Sequence, residues 1–128
     1  MEEIKLKLGE VLTINENIKN VIENKDLKLD ALFKFRLLGI MKQFESFVNN
    51  FNVVRNEEVV EYGTKSDEDN KYKIDVKDKE TMEKFVKDLS DVTNCEVSVN
   101  IEMLKAKDIF DIGLPSNVLM ALYPIIKE

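Results

Sequence analysis

The chain contains no histidine and no tryptophan, and only one cysteine, two prolines and four glycines among its 128 residues. Without histidine it cannot build a Ser-His-Asp triad, a His-ligated zinc site or an imidazole pH switch. A lone Cys95 cannot make a disulfide framework. The glycines, at 9, 39, 63 and 113, are isolated, so no Gly-rich phosphate loop exists. Only two of the cations are arginines, Arg36 and Arg55. No apolar run approaches the 18 or so residues that a membrane span requires. The start, Met-Glu-Glu-Ile-Lys-Leu-Lys-Leu, has no apolar h-region, and neither a prenylation end nor a myristoylation start is present. The expected location is a cytoplasm.

What remains is sufficient for a folded domain. The apolar fraction is 44% and the charged fraction 34%, a balance that can bury a core. The length fits one domain, residues 1–128. The net charge is −6, and it is uneven. Residues 1–55 are nearly neutral, whereas residues 56–128 hold ten Lys/Arg against seventeen Asp/Glu. A phosphate-backbone binder usually presents a basic face, so direct nucleic-acid binding is not expected.

Alternation of Ile4, Leu6 and Leu8 with lysines reads as a short strand closed by Gly9. Thr13-Ile-Asn-Glu16 has the form of a capping box, predicting a short helix with Ile14, Ile18, Val21 and Ile22 inward, ending at Asn24. The segment from about Leu27 to Tyr62 has no proline and carries Phe33, Leu37, Ile40, Phe44, Phe47, Phe51 and Val54 at alternating spacings of four and three. This apolar seam predicts one long helix, bent or straight at Gly39, with Gly63 as a left-handed C-cap. Such a helix is longer than a body of this size, so its far end should project or pack on something else. Tyr72, Ile74 and Val76 suggest a second strand, and Asp78 caps a helix bearing Met82, Phe85, Val86, Leu89 and Val92. Cys95, Val97, Val99 and Ile101 alternate as a third strand, with Cys95 on its buried face. A short helix or turn is expected around Lys107–Phe110, and a last helix after Pro115 whose final turn Pro124 disturbs. The fold class is therefore α+β, with a small antiparallel or mixed sheet of about three strands packed on helices.

The residues offer little chemistry. Asp67, Asp69 and Asn70 fail the calcium-loop pattern, because Lys71 and Tyr72 occupy the third ligand position and the obligatory glycine. Glu57 and Glu61 share a helix face but lack the Glu-x-x-His partners of a di-metal bundle. Neither a catalytic residue, a metal nor a cofactor is assigned.

Taken in order, several features resemble a family of small proteins encoded by phages and prophages of low-GC Gram-positive bacteria. The Ile-Lys-Leu-Lys-Leu start precedes a short helix, and a long helix runs into Arg55-Asn-Glu-Glu-Val-Val-Glu-Tyr-Gly63. An acidic turn, Ser66-Asp-Glu-Asp-Asn70, leads to a strand and then to Glu83-Lys-Phe-Val-Lys-Asp-Leu89. The end, Leu114 to Glu128, is similar to the family's Leu-x-Ser-x-x-Leu-x-Ala-Leu-x-Pro-Ile-Ile-x-Glu finish. The resemblance spans nearly the whole chain and carries no catalytic residues. It implies phage biology, and with it the host cell's cytoplasm or the virion as the location. Two functions are then expected. The first is a non-enzymatic structural or assembly protein that associates with itself through the long helix, with Phe44, Phe47, Phe51 and Val54 as contact residues. The second is an inhibitor of a host or defence protein, whose acidic turn at Asp67, Glu68 and Asp69 faces a basic groove.

Overall fold

In the computed structural model, residues 1–66, 71–75 and 77–128 are described. The class is α+β, with helices dominating. The order is β1 (Glu2–Lys7), α1 (Leu8–Glu23), α2 (Ala31–Tyr62), β2 (Thr64–Lys65), β3 (Tyr72–Lys73), α3 (Lys79–Thr93), β4 (Glu96–Ile101), β5 (Leu104–Lys105), α4 (Ala106–Phe110) and α5 (Ser116–Leu122). A 3-10 turn over Tyr123–Ile125 and β6 (Ile126–Lys127) complete it.

The expected three-stranded sheet resolves into separate pairs. β1 and β4 are antiparallel with Ile4 opposite Val99 and Leu6 opposite Val97, so their apolar alternation falls on one shared face. β2 and β3 form a two-residue antiparallel pair, and β5 and β6 a two-residue parallel pair. The predicted second strand shortens to Tyr72–Lys73. Val76 lies outside the described residues.

α1 begins at Leu8, not after Thr13. The reason is local: the Lys7 N–H donates to Glu10 Oε1 at 2.9 Å, which satisfies an amide that the first turn leaves open. The Leu8 N–H donates to the Cys95 carbonyl at 2.8 Å, which ties the helix start to the turn before β4. Ile14, Ile18 and Val21 face inward as predicted, and Val11 joins them one turn earlier. α2 runs unbroken through Gly39, where a Cβ would meet nothing within 4 Å. It starts at Ala31 after the Asp30 N-cap, four residues later than the apolar pattern suggests.

Gly63 caps α2 with φ −92 and ψ 167, so left-handed backbone is not what it supplies. A Cβ there would stand 2.3 Å from the Val59 carbonyl and 3.0 Å from the Lys73 carbonyl. The glycine is required first by the carbonyl of the last turn of α2 and then by the close approach of β3. Gly113, at φ 78, is the residue that does use the left-handed region, in the turn before α5.

The core lies at one end of the molecule. α1 contributes Val11, Ile14 and Ile18; α2 contributes Phe33, Leu37, Ile40 and Phe44; β4 contributes Val99 and Ile101. Leu104, Ile109, Leu114, Leu122 and Ile125 close it from the C-terminal side. Arg36 reaches Glu102 and Asp108, both at 3.6 Å, and joins α2 to the chain around β5 and α4. Cys95 is exposed, contrary to expectation. It belongs to the turn after α3, where its N–H donates to the Val92 carbonyl, and the inward alternation of β4 starts at Val97.

Candidate interaction site: the α2–α3 arm

Phe44 is the last buried residue of α2. The helix continues to Tyr62, about 27 Å further at about 1.5 Å per residue. α3 packs along this far part, and β3 touches its end. Together they form a two-helix arm whose base packs against the core through Phe47, Phe51 and Val92.

The arm is thinly covered. α3 has an apolar stripe, Met82, Phe85, Leu89 and Val92, yet buries none of its residues fully. On α2, Phe47, Phe51 and Val54 are half-buried. Two helices can shield only one side of each other's apolar stripe, so a pair without a third layer keeps its seam partly wet. Val53, Val60 and Val86 are more than half exposed on the same arm.

The candidate contact residues therefore separate. Phe44 has no exposed surface and is a core residue, not a contact residue. Phe47 and Phe51 are partly buried and pack against the core from the base of the arm, and Val54 lies further out along it. Asp67, Glu68 and Asp69 lie outside the described residues.

A polar cluster that the sequence pattern does not reveal pins the far end of the arm. The Tyr62 hydroxyl donates to Asp88 Oδ2 at 3.0 Å, bridging α2 to α3. Its phenol is pushed up to about 12, first by that hydrogen bond and then by burial and the nearby carboxylates. Glu58 sits against the same Asp88, and its Oε2 is enclosed without a hydrogen-bond partner. Two ionised carboxylates have no proton to share, whereas a protonated Glu58 can donate to Asp88. Its pKa is accordingly raised, by the hydrogen bond with Asp88 first, then by burial, then by the charges of Asp88, Glu61 and Glu57. The spacing of Glu58 and Tyr62 by four residues placed them on one helix face; the partner on α3 had no sequence signal.

Among the described residues, no three His, Cys, Asp or Glu side chains gather in a way that could hold a metal ion. No helix among them is long and apolar enough to cross a membrane. Compared with family models, with curated proteins and with solved structures, the chain finds no match.

Proposed function

We propose that this is a phage-encoded, non-enzymatic protein that works by protein–protein contact, in a structural or assembly role, and that it associates with a second copy of itself through the α2–α3 arm. One observation carries this reading: beyond Phe44 the apolar seam continues through Phe47, Phe51 and Val54, none of them fully buried, alongside α3, which buries none of its residues fully. Full burial of such side chains is worth about 1.5–3 kcal/mol each relative to full exposure, and covering the part of each that is still open gives a third layer a fraction of that per residue. A second arm supplies a layer of matching length and chemistry. The phage origin rests on the family resemblance.

The test is molar mass by light scattering over a wide concentration series, for wild type and Phe47→Glu, with a thermal melt of each. Self-association that weakens in Phe47→Glu, while α1 and the core still melt cooperatively, supports the proposal. A wild-type monomer at every concentration overturns it.

A second reading, an inhibitor directed at a host or defence protein, is supported by the gathering of Glu57, Glu58, Glu61 and Asp88 at the end of the arm. It predicts capture of one host protein that weakens steeply with salt.

A further inference from the structure

The outward side of α2 carries an apolar feature of its own. Leu37, Ile40 and Phe44 face the core, and Phe35 stands on the opposite side of the helix, 72% exposed. Gly39 follows one turn later on that same side. Its backbone is helical, and nothing lies within 4 Å of where a Cβ would stand, so no contact inside the chain calls for a glycine. Glycine within a helix costs stability relative to alanine. Beside the gap is an open hollow of about 220 Å³, lined by Phe35, Gly39 and Met1 among others. A projecting ring and a vacant place for one thus lie a single turn apart on one face.

We propose that this face of α2 packs antiparallel against the same face of a second copy, the Phe35 ring of each chain seated over Gly39 of the other, in a self-contact separate from the arm. Reciprocity selects a second copy as the occupant. In a two-fold contact residue i meets j and j meets i. An axis level with Leu37, midway between the two positions, brings Phe35 of one chain opposite Gly39 of the other, and seats both rings at once. A foreign helix would have to bring an aromatic for the hollow and, one turn away, a hollow for Phe35. Helix ridges pack into grooves more closely where a side chain is missing, which gives Gly39 the role that the fold itself does not.

Charge agrees with this pairing. Arg36 and Lys42 are the cations that line the hollow. Both are held within the chain, Arg36 by Glu102 and Asp108 at 3.6 Å and Lys42 by Glu45 at 2.8 Å. They therefore offer little to a polyanion or an anionic lipid surface. The same axis sets Arg36 level with Leu38 and Lys42 level with Leu32, so cation does not oppose cation across the contact. Leu32 and Leu38 are 54% and 48% exposed, and each can pack on the aliphatic stem of the long side chain it meets. The contact runs from Leu32 to Lys42, about three helical turns, and is accordingly a weak, reversible one.

Sedimentation of the full chain over a concentration series compares wild type with Phe35→Ala, Gly39→Leu, their double variant and the arm variant Phe47→Glu. A thermal melt of each is taken at low concentration. Phe35 is exposed and leucine is a better helix former than glycine, so neither single variant should lower the melt by more than a degree or two. The expected result is that each weakens one association step by at least about tenfold, while Phe47→Glu leaves that step in place. The double variant should weaken it by less than the product of the two single effects, because both remove the same ring-in-hollow contact. Association unchanged in either single variant overturns the proposal, and the arm is then judged by Phe47→Glu alone. A double variant that shows the full product also overturns it, since ring and hollow would then act on different partners. A wild-type monomer at every concentration overturns both contacts. Loss of the Phe35-sensitive step with no effect of Phe47→Glu on any step contradicts the arm and leaves this contact standing.

Discussion

The Tyr62 hydroxyl and the Asp88 carboxylate meet at 3.0 Å, twenty-six residues apart in sequence, where the long helix ends against α3. This bond fixes the far end of an arm whose apolar seam is otherwise only half-covered. Tyr62→Phe keeps the ring but removes the donor. Amide exchange in α3 should accelerate several-fold, while α1, which is anchored in the core, keeps its protection. Unchanged exchange in α3 would show that apolar packing alone holds the arm.

The carboxyl pair beside this bond makes the arm pH-sensitive. Glu58 is raised in the folded chain above its ordinary 4.5. Its stabilising contribution is therefore complete below that value and is lost as pH rises through the folded pKa. Asp78 acts oppositely. Its carboxylate accepts the Thr81 amide at the start of α3, and its pKa is lowered first by that bond. Its contribution is present above 3.8 and is lost as pH falls through the folded value. The groups facing Glu58 are Asp88 across the helix pair and Glu57 and Glu61 on its own helix. The α3 attachment should therefore loosen as pH rises through the raised folded pKa of Glu58, and also as pH falls through the lowered one of Asp78. Glu58→Gln should abolish the loosening on the alkaline side, as read by α3 exchange against pH; a variant that keeps the wild-type profile would contradict this.

Two phenylalanines of α2 should differ sharply. Phe44 is fully buried, so Phe44→Ala should cost about 3–5 kcal/mol by chemical denaturation. Phe35 is 72% exposed, and Phe35→Ala should change stability by no more than about 0.5 kcal/mol. Similar losses at both sites would mean that α2 is rotated about its axis.

Glycines test the backbone in the same way. Gly39 lies within α2 with open space where a side chain would stand, so Gly39→Ala should stabilise by about 0.5–1 kcal/mol. Gly63→Ala should instead destabilise, because its Cβ would collide with the Val59 carbonyl. Thermal melts of the two variants should therefore move in opposite directions.

Much of the fold is legible in the sequence because its elements follow simple periodicity. The spacing of Phe33, Leu37, Ile40 and Phe44 gives the long helix and its buried face, and the alternation of Val97, Val99 and Ile101 gives β4. Reading fails where long-range contacts decide. The start of α1 is set by Glu10 and by a hydrogen bond to Cys95, far along the chain, which outweighs the local cap at Thr13. β5 and β6 are two residues each and too short to alternate. The candidate site was half legible. The seam identified Phe47, Phe51 and Val54, but periodicity alone could not tell that Phe44 is fully buried while Phe47, Phe51 and Val54 are only partly covered. Asp88 and Glu58 have no local pattern, because their relation arises only when α3 folds back on α2.

The account turns on the arm being completed by a second copy. Amide hydrogen exchange of the wild-type chain at low and at high protein concentration tests this most directly. The account predicts that higher concentration slows exchange across residues 45–62 and 79–93 and leaves α1 unchanged. Equal exchange of both segments at the two concentrations would contradict it.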